Sequence, residues 1–339
     1  MNIPEPEIID PASVPSLKWG IIGPGGIAEV FVSACQKHTA QSFHAVASRT
    51  PGRAHEFAKK FQIPKVHDSY ETLVADDEIE AVYIASWQVE HYEHAMLALK
   101  AGKHVLVEKP ITVLPEHAKE IFALAREKGL LAMEAMWTRY LPQSTIIRKL
   151  LASGELGKPQ LFTANFSADN RHIARLWQKG GGSIIYDMGI YPIAMSQQFL
   201  GSPSKITATG TLHESGLDAE SDSVFEYASG ARAQVTASGI ATLPTTASCS
   251  FENAVVVVDE PFFVPSGIKL RDKELYFTEE VWRDETEVRG HDGLSYQATW
   301  FAKYVSEGRV ESEVHPANEV IAGIEIAAEI CKQIGAQPL

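Results

Sequence analysis

Three stretches of this chain hold residue types at spacings that could do chemistry. The first is Gly23-Pro24-Gly25-Gly26-Ile27-Ala28, a G-x-G-x-x-A string. Between a strand and a helix, such a string receives the pyrophosphate of a dinucleotide. Its first glycine permits a tight turn, its second lets phosphate approach the backbone, and a small last residue lets helix pack on strand. The helix N-terminus adds unbonded N–H groups and the positive end of a dipole. A plain glycine turn is the alternative, and the strand before and helix after decide against it. About 20 residues past such a fingerprint, NAD sites carry an acid for the ribose 2′-hydroxyl. Here Ser48-Arg49-Thr50 stands in that place. A hydroxyl and a guanidinium suit a 2′-phosphate, and no carboxylate is there to repel it. The pattern therefore favours NADP(H) over NAD(H), with Arg53 one turn further adding charge. The plain alternative is a solvated loop with an ordinary arginine.

The second stretch is Glu108-Lys109-Pro110, a lysine just past an apolar run. A Lys-Pro bond reaches cis at low cost, which can aim the side chain inward; a surface lysine at a strand end is the alternative. The third runs from Gly180-Gly181-Gly182 to Asp187 and Tyr191. Three glycines let backbone and ligand come close. Asp187 and Tyr191, spaced i and i+4 on a helix, would share one face about 6 Å apart. A carboxylate and a phenol so placed could hold a hydroxyl and take its proton. A free phenol has a pKa of about 10, so a nearby ammonium such as Lys109 would have to lower it. Unaided, the pair would read as a helix-end charge and a half-buried aromatic.

The elements that must carry these groups alternate along the first half. Apolar runs at 17–23, 43–49, 81–86, 104–109 and 130–136 are separated by helical patterns near 26–38, 52–61, 90–101 and 115–128. Gly102 and Gly129 close two of these helices, and Pro115 opens one. Strand–helix alternation with continuous apolar strands predicts a parallel sheet covered on both faces, a doubly wound α/β domain. Ligands in such sheets bind beyond the carboxyl ends of the strands. That edge takes in Ser86-Trp87-Gln88, Glu108-Lys109-Pro110 and Met136-Trp137-Thr138-Arg139. After about 140 the pattern changes to strand-like runs at 160–168, 205–213, 223–228, 232–241 and 254–260, with helices near 143–153, 183–199, 295–307 and 317–334. Ser229-Gly230 marks a hairpin. The second part thus reads as an α+β domain on a mostly antiparallel sheet. The boundaries expected are an irregular arm at 1–16, a dinucleotide-binding domain at 17–140 and a substrate and oligomerisation domain at 141–339.

Composition narrows the classes. At roughly 150 residues per domain, 339 residues make two. Thirty basic against 43 acidic side chains give a net charge of −13, which repels phosphate backbones and anionic lipid. No dense Lys/Arg run offsets it, so nucleic-acid and membrane partners are excluded. No apolar run reaches bilayer length, the first 16 residues lack the pattern of a secretory signal, and Cys35, Cys249 and Cys331 form no framework. A cytoplasmic protein is expected. His91 and His94 are spaced i and i+3 but have no HExxH or cysteine cluster beside them, so no metal is expected.

Taken together, GPGGIA, the Ala-Ser-Arg at 47–49, ALKAGKHVLVEKP and GGGSIIYDMGIYP resemble the Gfo/Idh/MocA oxidoreductases, over nearly the whole chain. EAMWTRYLP and DMGIYP are most similar to the branch holding dimeric dihydrodiol dehydrogenase and NADP-dependent D-xylose dehydrogenase. The resemblance implies an N-terminal Rossmann domain, a C-terminal domain around a large open sheet, and a homodimer through that sheet. It implies hydride transfer between a nicotinamide and a carbinol carbon of a sugar, cyclitol or diol. Lys109 and Asp187 match the family's lysine and aspartate, and Tyr191 falls at its acid/base position. Gln88 stands where the family often has Asn near the cofactor, His91 matches the His of its T-P-N-x-x-H pattern, and Trp87 replaces the usual proline. Trp137 and Arg139 are placed near nicotinamide or substrate, and Arg175 in the substrate pocket. A non-catalytic sugar sensor of the same fold is the alternative, and the joint presence of Lys109, Asp187 and Tyr191 argues against it.

Overall fold

The computed structural model describes residues 1–273 and 279–338. Contacts divide the chain into two units: Ile9–Tyr140 with Val288–Ile321, and Met1–Ile8 with Leu141–Glu287 and Ala322–Leu339.

The first unit is built on six strands, β1 (Lys18–Ile22), β2 (Ser42–Ala47), β3 (Lys65–His67), β4 (Ala81–Ile84), β5 (His104–Val107) and β6 (Ala132–Glu134). They lie in the order β3-β2-β1-β4-β5-β6, every pair parallel. This is the doubly wound order, reversing between β1 and β4. All of β4, and all of β1 after its first residue, is buried, which explains why these strands read as continuous apolar runs. The helices are α1 (Gly26–His38), α2 (Arg53–Phe61), α3 (Tyr70–Val74), α4 (His91–Lys100) and α5 (Pro115–Lys128). Gly129 ends α5 at φ 66° and Pro115 starts it. Two elements carry no sequence signal: β3 is a half-buried Lys-Val-His, and α3 is little more than one turn, begun by a Ser69–Thr72 capping box.

This unit also takes back residues 288–321, where the sequence reading ended it at 140. The reason is packing. Helix α8 (Leu294–Ser306) sets Phe301 against Trp19, ring centroids 4.7 Å apart, and Trp300 against Tyr140 at 6.2 Å. Trp19, Trp300 and Phe301 are at most 2% exposed. The Val310 carbonyl then accepts the Ala132 N–H on the edge strand β6, at 3.1 Å. A helix so far along the chain leaves no local trace of the core it completes.

The second unit holds an eight-stranded sheet: β7 (Pro159–Ser167), β8 (Lys205–Leu212), β9 (Asp218–Glu226), β10 (Arg232–Ser238), β11 (Ala247–Phe251), β12 (Ala254–Val258), β13 (Gly267–Asp272) and β14 (Glu279–Arg283). The order is β14-β13-β12-β11-β7-β10-β9-β8. Only β7 and β10 pair parallel; the other pairs are antiparallel. The hairpin between β9 and β10 turns at Tyr227–Ala231 with Gly230 at φ 87°, as its sequence implied. Helix α6 is Pro142–Ser153, and α7 (Ile190–Leu200) lies on β7, β10 and β11. The first eight residues are strapped to this unit, with the Glu7 N–H on Thr145 Oγ1 and Lys149 Nζ on the Glu5 carbonyl, both 2.8 Å. Helix α9 (Ala317–Ile334) closes the chain. Among the described residues no helix is long and apolar enough to cross a membrane, and no group of three His, Cys, Asp or Glu is placed to hold a metal.

If α8 completes the first core, Phe301→Ala should cost about 3–5 kcal/mol. Urea unfolding followed by tryptophan fluorescence measures this, and a loss under about 1 kcal/mol would remove α8 from that core.

Candidate functional site

Gly23 leaves β1 at φ 81°, and a Cβ there would lie 2.6 Å from the Ser86 nitrogen and 2.8 Å from the Ala85 carbonyl carbon. The turn after β1 therefore touches the backbone after β4, which only glycine permits. Gly25 caps α1, donating to the Gly23 carbonyl at 2.8 Å and accepting from Glu29 at 3.0 Å. A Cβ on Gly25 would meet nothing nearer than 4.0 Å, and one on Gly26 nothing at all. The turn is thus open on the side where phosphate must approach, and a dinucleotide fits it. Ile27 is half-buried at the start of α1, and Ala28 is wholly buried.

One cleft gathers Gly23, Gly25, Ser48, Arg49, Arg53 and Ser86 of the residues singled out from sequence. It also takes in Pro24, Thr50 and Trp87 of the same motifs, and adds Tyr70, Ala85 and Glu90. Ser48 Oγ accepts the Thr50 N–H at 3.1 Å, which shapes the loop after β2. Arg49 is exposed yet partnered: its guanidinium pairs with Glu90 at 2.5 Å and also meets Tyr70. Trp87 is 47% exposed on the rim.

Behind the cleft the strand ends are tied together. Ser86 Oγ meets His94 Nδ1 at 2.8 Å. Gln88 is 9% exposed, in the short turn before α4. His91, 2% exposed, lies between two carbonyls, Pro110 at 2.9 Å and Ser86 at 3.0 Å. Burial pushes its pKa down to about 4, against the pull of those two hydrogen bonds. The neutral ring has one N–H and donates to one of these carbonyls, wedged between the loop after β4 and the loop after β5. Glu108 turns inward, accepting from Tyr83 Oη at 2.5 Å and from the Lys109 N–H at 3.2 Å. Lys109 is half-buried and its bond to Pro110 is cis.

Two of the residues expected near the nicotinamide or substrate are buried. Arg139 is 4% exposed and bound to the Val314 carbonyl at 2.7 Å and to Glu319 at 2.5 Å. Its guanidinium ties the chain after β6 to residues 314–319 rather than lining the cleft. Trp137 is 3% exposed and stacks on His291, centroids 5.6 Å apart. Sequence reading missed Glu134, whose carboxylate accepts the Ile111 N–H at 2.8 Å and meets His315 Nε2 at 2.9 Å. It thereby fixes the loop just after Lys109-Pro110. A single acid inside the apolar run 130–136 was the available signal.

In the second unit, a Cβ on Gly182 would fall 2.0 Å from the Leu176 carbonyl oxygen. The glycines thus let the backbone settle on the turn formed by Ala174–Trp177. From Ile185 to Gly189 the chain is π-helical, and α7 follows. The regular α spacing expected for Asp187 and Tyr191 is therefore interrupted, a local widening that recurs at functional sites. Asp187 keeps a 28% exposed side chain with Arg175 Nη2 at 3.6 Å, and Arg175 Nη1 donates to the Gly181 carbonyl at 2.7 Å. Tyr191 is 8% exposed, its ring 5.6 Å from Phe166 and 5.7 Å from Phe263, which stack on each other at 4.4 Å. Both phenylalanines are half-exposed. Beneath the π turn, the wholly buried Asp218 accepts the Ile185 N–H at 2.5 Å. Burial raises its pKa, and the hydroxyl of Ser183 and the backbone N–H groups of Ile184 and Ile185 oppose that rise.

A profile described as oxidoreductase family, NAD-binding Rossmann fold, matches residues 17–136, and one for the GFO/IDH/MocA C-terminal domain matches 145–257. The trans-1,2-dihydrobenzene-1,2-diol dehydrogenase of Mus musculus is 33% identical over 326 residues, covering 94% of this chain and 97% of that protein. The Bos taurus enzyme is 34% identical with the same coverage. Levoglucosan dehydrogenase in complex with NADH and levoglucosan superposes with TM-score 0.83 at 20% identity, over 94% of this chain and 97% of that one. KijD10, a 3-ketoreductase from Actinomadura kijaniata in complex with NADP and TDP-benzene, gives 0.81 at 24%, over 94% and 98%. Both structures share the fold.

Gly23→Ala should weaken dinucleotide binding at least about tenfold in a fluorescence titration, a loss of some 1.4 kcal/mol. Wild-type affinity in that variant would contradict the contact with Ser86. His91 yields a pH prediction. Its folded pKa of about 4 lies below the unfolded value of 6.5. The stability it allows is full above pH 6.5 and is lost as pH falls towards 4, by roughly 3 kcal/mol. His91→Gln should flatten the acid limb of urea midpoints over that window; an unchanged limb would show that His91 does not titrate there.

Proposed function

The chain belongs to the Gfo/Idh/MocA family of NAD(P)-binding oxidoreductases, and we propose from this that it moves hydride between NADP(H), with NAD(H) the weaker cofactor, and a carbinol or carbonyl carbon of a dihydrodiol, cyclitol or sugar. The observation that carries the reading is Tyr191 with Asp187, at the start of α7 and beside two half-exposed phenylalanine rings. When bound, a nicotinamide would supply the hydride acceptor for the carbinol carbon, or the hydride donor for the carbonyl. In the oxidative direction Tyr191 Oη takes the hydroxyl proton as the C–H bond breaks and the C=O bond forms. Asp187 holds that hydroxyl, and Arg175 steadies Asp187. The ammonium of Lys109, placed in this role by its Glu-Lys-Pro motif, favours the phenolate that the proton transfer requires. Arg49 and Arg53 support NADP(H), as cations in the cleft at the end of β2. The apolar faces of Phe166 and Phe263 suit a cyclic diol with a hydrocarbon face, in keeping with relatives named for a dihydrobenzenediol.

We also propose a homodimer through the outward face of the second sheet. There Leu161, Thr163, Ser248, Ser250, Val255 and Val257 alternate with the buried side chains of β7, β11 and β12. Val257→Arg should then give a monomer in sedimentation velocity, and an unchanged sedimentation coefficient would move the interface elsewhere.

Turnover is followed at the nicotinamide absorbance band with cyclic diols, aldoses and dicarbonyls. Tyr191→Phe and Lys109→Ala should each lower kcat by about 10²-fold or more while NADPH still binds. Unchanged turnover in either variant removes that residue from the mechanism. Silence of the wild type across the panel, with NADPH bound, would favour the sensor.

A further inference from the structure

We propose that Glu90 sets the balance between NADP(H) and NAD(H), as a carboxylate delivered from the end of β4 to the arginine at the end of β2. In this fold the adenosine ribose lies at the end of the second strand, where NAD sites place an acid that accepts from the 2′-hydroxyl. This chain has Arg49 there. Glu90, 41 residues further on, brings a carboxylate to the same place. Its oxygens lie 2.5 and 2.7 Å from Arg49 Nη2, and both residues line the cleft that holds Gly23 and Gly25.

Exposure separates the two partners. Glu90 is held at 21%, in the short turn before α4, while Arg49 keeps 64% of its side chain open. A guanidinium has five N–H donors in a rigid fork, so its pairing with Glu90 leaves donors for a ligand. A 2′-phosphate reaching Arg49 would bring its negative charge close to the Glu90 carboxylate, and the repulsion would offset part of the attraction to the arginine. A 2′-hydroxyl carries no charge and can donate to that carboxylate. Glu90 therefore weakens NADP(H) and supports NAD(H), narrowing a preference that Arg49 and Arg53 alone would make wide. This rests on the reading that Arg49 meets the 2′-phosphate.

The test is a set of fluorescence titrations with NADPH and NADH on the full chain. The variants are Glu90→Gln, Glu90→Ala, Glu90→Asp and Arg49→Ala. Removing the charge in Glu90→Gln and Glu90→Ala should raise the affinity ratio of NADPH to NADH about tenfold, mainly through tighter NADPH. The effect should shrink in about 1 M salt, where the Debye length falls to about 3 Å. Glu90→Asp keeps the charge and should stay near the wild-type ratio, a rescue that a merely structural loop contact would not give. Arg49→Ala should weaken NADPH and leave NADH close to wild type. A ratio unchanged within about twofold in both neutral Glu90 variants, with Arg49→Ala still selective against NADPH, overturns the role of Glu90 and leaves Arg49 in place. An unchanged ratio in Arg49→Ala overturns the 2′-phosphate reading and this proposal together.

Discussion

The first unit depends on one backbone contact for which no side chain leaves room. The turn after β1 rests on the peptide joining Ala85 to Ser86, so close that a Cβ on Gly23 would sit 2.6 Å from a backbone nitrogen. Because β1 and β4 are the neighbours between which the strand order reverses, this contact stands at the switch point where open α/β sheets bind ligands. It puts the phosphate-facing turn, the arginine after β2 and the loop after β4 around one cleft. His91 then joins that loop to Pro110, and Glu134 holds the residue that follows. A chain of buried polar contacts thus runs from the glycine turn to the peptide bearing Lys109. Networks of this kind specify one geometry when every member is satisfied.

The second unit uses the same device on a different scaffold. Gly182 lets one backbone stretch rest on the Leu176 carbonyl, and a small hydrophobic core of Leu176, Trp177, Ile184 and Met188 anchors the glycine segment against Ala219 and Ala237. The π turn that follows is capped from below by a carboxylate with no exposure. The buried Asp218 thus takes a backbone N–H of the irregular helix start, while Asp187 keeps a partly exposed side chain. In both units glycine sets how near two backbones come, and a buried polar group sets which way the functional side chain emerges.

How much of this was legible in the sequence follows from the range of the interactions. The parallel strands, their helices and the hairpin at Gly230 were readable because apolar period, helix caps and turn glycines are local signals. Edge strands such as β3 and β14 were not, since short polar segments pair only where a neighbour offers hydrogen bonds. The glycine fingerprint and Arg49 were legible as types at a spacing, whereas the partnership of Arg49 with Glu90 was not. Arg139 looked like a ligand contact because it follows a strand end. Its partners Val314 and Glu319 come from the far end of the chain and left no local signal. The π turn was likewise invisible, because nothing in its five residue types marks a widened turn and Asp218 comes from another element.

The return of residues 288–321 to the first unit bears on how the protein is made. Trp19 and Phe301, in contact at 4.7 Å, are separated by most of the polypeptide. On a ribosome adding about 5–20 residues per second, the amino-terminal portion emerges early and must wait for α8 to cover Trp19. Meanwhile β6 presents an edge whose Ala132 N–H has yet to meet Val310, and unpaired edges and bare aromatic surface make nascent chains prone to aggregate. The intervening sheet, with its many neighbouring antiparallel pairs, has the shorter-range contacts that form sooner. Both units are therefore completed only near the end of synthesis, the first by residues 288–321 and the second by the residues that follow them.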